Sequence, residues 1–150
     1  MATTPLTWIV VMDSAQARLL ETTDGERFEL VDEMASEVAH MRTHDLVSDR
    51  PGRGHESAAS AHHAIEGRHD AHELAKQNFV RSVADRLGKA AQDAKYERLV
   101  LVAPKRQLGE LRRSLPAIAH AKLSAELAKD LVKLPTAKLQ LRLAQLLPPR

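Results

Sequence analysis

No cysteine occurs in this chain of 150 residues, which excludes disulfides and thiolate metal sites and allows a reducing compartment. Aromatic residues are almost as scarce: Trp8, Phe28, Phe79 and Tyr96 are all of them. The core must therefore be built from Leu, Val, Ile, Met and Ala, and the chain offers no aromatic platform for unpaired bases. Long apolar runs are missing too. The run from Trp8 to Met12 is too short for a signal-peptide core or a membrane span, and no basic residue precedes it. The expectation is a cytoplasmic protein without membrane insertion. No internal repeat is visible.

What is present is ordinary for a soluble domain, with 43% hydrophobic and 28% charged residues, and the length suits one domain with a sizeable core. The net charge of +2 hides an asymmetry. Residues 1–94 hold ten Lys/Arg against sixteen Asp/Glu, whereas residues 95–150 hold twelve against four. Such a split predicts a dipolar molecule whose basic side can meet phosphates or an acidic partner. Solvation of helix faces by Lys and Arg is the plainer reading of the same residues.

Along the chain, Leu6 to Met12 is a β-branched, nearly continuous apolar run, as in a strand buried on both faces. Asp13-Ser14 turns the chain, and Ala15 to Glu21 returns as a second strand. After the turn Thr23-Asp24-Gly25-Glu26, Arg27 to Glu33 alternates in part as a half-exposed third strand. From His44 to about Arg68 the pattern dissolves into Gly, Ser, Ala, His and charge, predicting a long exposed loop or a marginal helix. Asp70 offers a cap to a helix of about 25 residues carrying Ala75, Phe79, Val83, Leu87 and Ala91, with Val80, Ala84 and Ala94 widening the stripe. Gly88 inside that helix costs about 1 kcal/mol relative to Ala. Arg98 to Ala103 is a second fully buried strand, ended by Pro104. Leu108, Leu111 and Leu115 mark a short helix before Pro116, and Lys122 to Ala128 suits strand or helix. Pro135 opens a last helix with the seam Leu139, Leu143, Leu146. A strand following a long helix is what a parallel α/β arrangement produces.

Six segments occur in an ordered series: Trp8 to Asp13, Arg18 to Glu21, Asp45 to Arg53, Leu99 to Pro104, Leu108 to Arg112, and Lys129 to Leu131. Together they resemble the bacterial family of proteins required for attachment to host cells, over nearly the whole chain. That family is similar to the middle domain of archaeal and eukaryotic peptide-release factors. The resemblance implies a single α/β domain, with a mixed sheet, an N-terminal strand meander and packed helices. In such release factors a Gly-Gly-Gln loop after the early strands enters the peptidyl-transferase centre. Here Asp49-Arg50-Pro51-Gly52-Arg53-Gly54 lies in the comparable place and contains no Gly-Gly-Gln. Gln16, Gln77 and Gln92 fall outside it, so peptidyl-tRNA hydrolysis is not implied.

The residues themselves nominate several sites. Arg50, Gly52, Arg53 and Gly54 suit phosphate, because glycine admits close backbone approach and guanidinium pairs bidentately, although no Walker-type spacing is matched. Lys105, Arg106, Arg112 and Arg113 surround the short helix and, with Lys129 and Lys133, suggest a second basic patch. Lys129-Asp130 is alternatively an internal ion pair or turn cap. Asp13 and Asp49 could share a cleft as acid and base, although carboxylates at strand ends are commonly turn formers. Seven of the eight histidines lie between His40 and His72, and His62, Glu66, His69 and Glu73 would share a helix face. Such a set suits zinc, manganese or iron, although Gly67 interrupts the helix and solvated histidine is the plainer reading. No serine lies in a nucleophile elbow.

Three functions follow. The first is a non-enzymatic module for structured RNA or the ribosome, without cofactor. The second is a metal-dependent hydrolase using the His55 to Glu73 cluster, and the third a protein-docking module in attachment or biofilm regulation. Oligomeric state is not encoded in any of these features.

Overall fold

In a computed structural model, residues 5–36 and 58–147 are described, with the backbone alone for residues 58–66, 68 and 69. The strands are β1 (Thr7–Met12), β2 (Gln16–Thr22), β3 (Glu29–Ala35), β4 (Arg98–Ala103) and β5 (Leu123–Ala128). The helices are α1 (Ala58–Gln92), α2 (Lys105–Ser114), α3 (Ala117–His120) and α4 (Thr136–Leu143), the last followed by a 3-10 turn at Ala144–Leu146. The sheet order is β3-β2-β1-β4-β5. β1 is antiparallel to β2 and parallel to β4, β4 is parallel to β5, and β2 is antiparallel to β3. The expected meander and mixed sheet are therefore both present.

Alternation along the central strands divides the interior into two cores. Trp8, Val10 and Met12 of β1 face α1, α2 and α3 with Leu99, Leu101 and Ala103 of β4. Ile9 and Val11 face the opposite side, with Val100, Val102, Leu139 and Leu143. Both strands are thus buried on two faces, which is why they carry continuous apolar runs. Phe28 joins the second core from just outside β3, and its N–H donates to Gln140 Oε1 at 2.8 Å, fastening the β2–β3 turn to α4. A bulge shifts the β2–β3 register between Leu19 and Leu20.

One open reading is decided and two expectations are corrected. Lys122 to Ala128 suits strand or helix by sequence; Leu123–Ala128 is a strand, because β4 offers it a parallel partner. The long helix begins at Ala58 rather than at Asp70, so the stretch from His44 to about Arg68, which suited a loop or a marginal helix, is helix from Ala58 onward, and Gly67 does not interrupt it. Ala94 does not belong to the apolar stripe. It is exposed and adopts φ 55°, ending α1 in a left-handed turn in which Lys95 N–H donates to Ala90 O and Ala94 N–H to Ala91 O.

At 35 residues α1 spans about 50 Å, whereas six- or seven-residue strands span about 20 Å. Among the described residues, its C-terminal part, Phe79 to Ala91, supplies the side chains that reach the core. The helix enters β4 from the start of the parallel strands, so its N-terminal half runs past the edge where β1, β4 and β5 end. Asp13, Lys105 and Lys129 lie at that same edge.

Candidate nucleic-acid interface

α2 begins directly after β4, with Pro104 at its cap position and no side-chain cap or acidic residue in its first turn. Proline suits that place because its fixed φ and missing N–H cost nothing there. Lys105 and Arg106 are less suited, since the positive end of the helix dipole repels them. Arg106 is compensated. Its Nη2 pairs with Glu73 Oε2 of α1, and its Nε lies 3.3 Å from Glu110 Oε1, one turn on. Lys76 Nζ adds a contact to Glu73 at 3.5 Å. The hydrogen bond from Arg106 holds the Glu73 carboxyl below its usual range, against a smaller opposing effect of burial and with help from the Arg106 and Lys76 charges. The same pairings raise the Arg106 guanidinium further above its ordinary value. This cluster links the overhanging part of α1 to the start of α2.

At the other end of α2, Arg112 and Arg113 lie favourably against the negative end of the dipole. Being adjacent, they diverge. Arg112 Nε meets Glu126 Oε1 of β5 at 2.6 Å. Arg113 turns the other way, to an open groove of about 220 Å³ between α1 and α2, lined also by Gln77, Val80, Arg81, Glu110 and Ser114. Arg106 occupies the carboxylate of Glu110. Among the described residues no ion pair engages Arg81, Arg113 or Lys105, and all three are exposed. The groove therefore presents two guanidinium groups, a hydroxyl and an amide from two helices.

Of the four basic residues singled out on α2, two are thus bound in ion pairs, Arg106 and Arg112, and two are available, Lys105 and Arg113. Arg81 and Gln77 escaped the sequence reading because α1 brings them from far along the chain. A fainter trace existed: they stand four apart, so they share a face beside the apolar stripe.

The remaining candidates are dispersed. Asp13 Oδ1 accepts the N–H groups of Ala15 at 2.8 Å and Gln16 at 2.9 Å, so its carboxylate forms the β1–β2 turn. Lys129 and Asp130 are exposed after β5 and make no ion pair with each other among the described residues. Glu73 is engaged by Arg106 and Lys76, and no three His, Asp or Glu groups among the described residues form a cluster suited to a metal. The side chains of His62, Glu66 and His69 lie outside the described residues, as do Asp49, Arg50, Gly52, Arg53, Gly54 and His55. No helix among the described residues is long and apolar enough to cross a membrane.

Among the described residues, a mixed five-stranded sheet covered by three helices on one face and one on the other defines an α/β domain with the fold found in release factors. The chain belongs to the family described as "protein required for attachment to host cells", whose model matches residues 8–143. In fold it is similar to an archaeal translation termination factor, aRF1, with a TM-score of 0.51 and 12% identity, over 93% of this chain and 38% of that one. A second structure, described as an archaeal protein, is 14% identical with a TM-score of 0.47, over 93% of this chain and 37% of that one. The chain thus spans less than two fifths of the proteins it resembles in fold. No curated protein matches it.

Proposed function

We propose that this host-attachment family protein is a non-catalytic, cytoplasmic binding module for structured RNA or the ribosome, engaged through phosphates. The observation that carries this reading is the groove between α1 and α2, where Arg81 and Arg113 are exposed and have no ion-pair partner among the described residues, with Lys105 exposed at the start of the same α2. Guanidinium groups recognise phosphate oxygens bidentately, and Gln77 and Ser114 add neutral polar groups beside them. The surplus of positive charge in residues 95–150 adds long-range attraction to an anionic partner. The fold shared with a translation termination factor makes the ribosome the first partner to test. Without Gly-Gly-Gln, hydrolysis of peptidyl-tRNA is not part of the proposal. Arg50, Gly52, Arg53 and Gly54 are assigned a second phosphate contact on composition alone.

The test is co-sedimentation of the purified protein with ribosomes at low and moderate salt. Comigration that weakens as salt rises is expected, and Arg81→Ala with Arg113→Ala should reduce it by about tenfold or more. A protein that stays at the top of the gradient at both salts would remove the ribosome from the model. Unchanged comigration of the double variant would remove the groove. Arg50→Ala with Arg53→Ala examines the second contact in the same way.

A further inference from the structure

We infer that the RNA this protein binds is base-paired and recognised by the shape of its backbone rather than by its bases. The inference rests on the RNA reading above and narrows it. Proteins that hold single strands stack bases on exposed aromatic rings or splay them into pockets. This chain has four Phe, Trp or Tyr residues in all, and the fold buries every one: Trp8 is 2% exposed, Phe28 6%, Phe79 5% and Tyr96 0%. The Trp8 and Tyr96 rings are committed to each other, with centroids 5.1 Å apart. Arg86 lies 5.4 Å over the first ring and Lys122 5.5 Å over the second. No Phe, Trp or Tyr ring is left for a base.

The groove agrees with that exclusion. It is open, with polar side chains and a single apolar lining residue, Val80, so it offers no slot for an unstacked base. Its cations come from two helices, Arg81 from α1 and Arg113 from α2. Groups placed on either side of a groove suit phosphates on either side of a nucleic-acid groove. A-form RNA displays a wide, shallow minor groove lined with 2′-hydroxyls, which neutral groups such as Ser114 and Gln77 can meet. The deep, narrow major groove of A-form RNA admits no helix, so the face between α1 and α2 would lie along the backbone.

The experiment is fluorescence anisotropy with four probes: an RNA duplex of about 20 base pairs, each of its strands alone, and the DNA duplex of the same sequence. The RNA duplex should bind about tenfold or more tighter than either strand, and tighter than the DNA. Its affinity should fall steeply with salt, and Arg81→Ala with Arg113→Ala should lessen the salt slope by about two. A single strand that binds as tightly as the duplex would overturn the inference and leave the RNA reading standing. Equal affinity for duplex DNA would overturn the choice of A-form RNA. Binding to none of the probes at low salt would overturn the RNA reading together with the inference.

Discussion

Ala94 holds a backbone conformation that L-residues with a side chain rarely adopt, at φ 55°, because the end of α1 needs a left-handed residue there. Glycine is the usual occupant. Ala94→Gly should stabilise the fold by about 1 kcal/mol, raising Tm by about 2–4 °C in a thermal melt, despite the larger unfolded entropy of glycine. A variant that melts at or below the parent would show that the alanine strain is offset elsewhere. Tyr96 is the other informative residue. Its hydroxyl donates to Leu87 O at 2.8 Å, and burial pushes its pKa from 10.0 to about 12. Its neutral form is favoured in the folded state, so its contribution to stability is complete below pH 10 and is lost as pH rises from 10 to about 12. As the only tyrosine in the chain it can be followed alone, by tyrosinate absorbance. Titration of the native protein near 10 would mean that the ring is open to solvent.

Among the elements, the crossing of α1 with the start of α3 depends on one missing methyl. A Cβ on Gly88 would lie 2.5 Å from Pro116 Cγ and 3.2 Å from its Cδ, closer than real contacts permit. Alanine at this position would gain helix propensity of about 1 kcal/mol and lose more by forcing the helices apart. Gly88→Ala should therefore destabilise by about 1–3 kcal/mol in denaturant unfolding. An unchanged or raised midpoint would show that Pro116 moves freely. The glycine that looked like a weak point in a helix is the point of closest approach. Elsewhere Arg18 reaches from β2 to Leu134 O at 2.6 Å, Val132 O at 3.2 Å and Thr136 Oγ1 at 2.7 Å. It thereby fixes the connection from β5 to α4 by bonds to two backbone carbonyls and one hydroxyl, a role invisible in a linear pattern.

For the whole molecule, charge matters in two ways that salt separates. The ion pairs of Arg106 with Glu73, Arg112 with Glu126, and Arg86 with Asp32 at 3.4 Å are partly exposed, so each contributes modestly to stability and is weakened by salt. Phosphate contacts through Arg81, Arg113 and Lys105 would release counterions, and their loss with salt would be far steeper. The co-sedimentation experiment belongs at this scale, because ionic strength that abolishes comigration should leave the far-UV circular dichroism unchanged. Loss of both signals together would point to unfolding rather than to release of RNA.

Apolar patterning sufficed to mark β1, β4 and the packed half of α1, because a strand buried on both faces and a helix with one buried stripe leave different periods in the chain. The sparse aromatics were likewise plain from composition, and so was the basic C-terminal part. Local pattern could not decide β5, because a short edge strand is stabilised by pairing with β4 rather than by its own propensity. The same holds for the site. Arg112 and Arg113 are neighbours in the chain, yet Glu126 takes the first and the groove receives the second. Which cations are neutralised and which remain free is set by carboxylates that only folding brings near, since Coulomb attraction depends on distance in space and not along the chain.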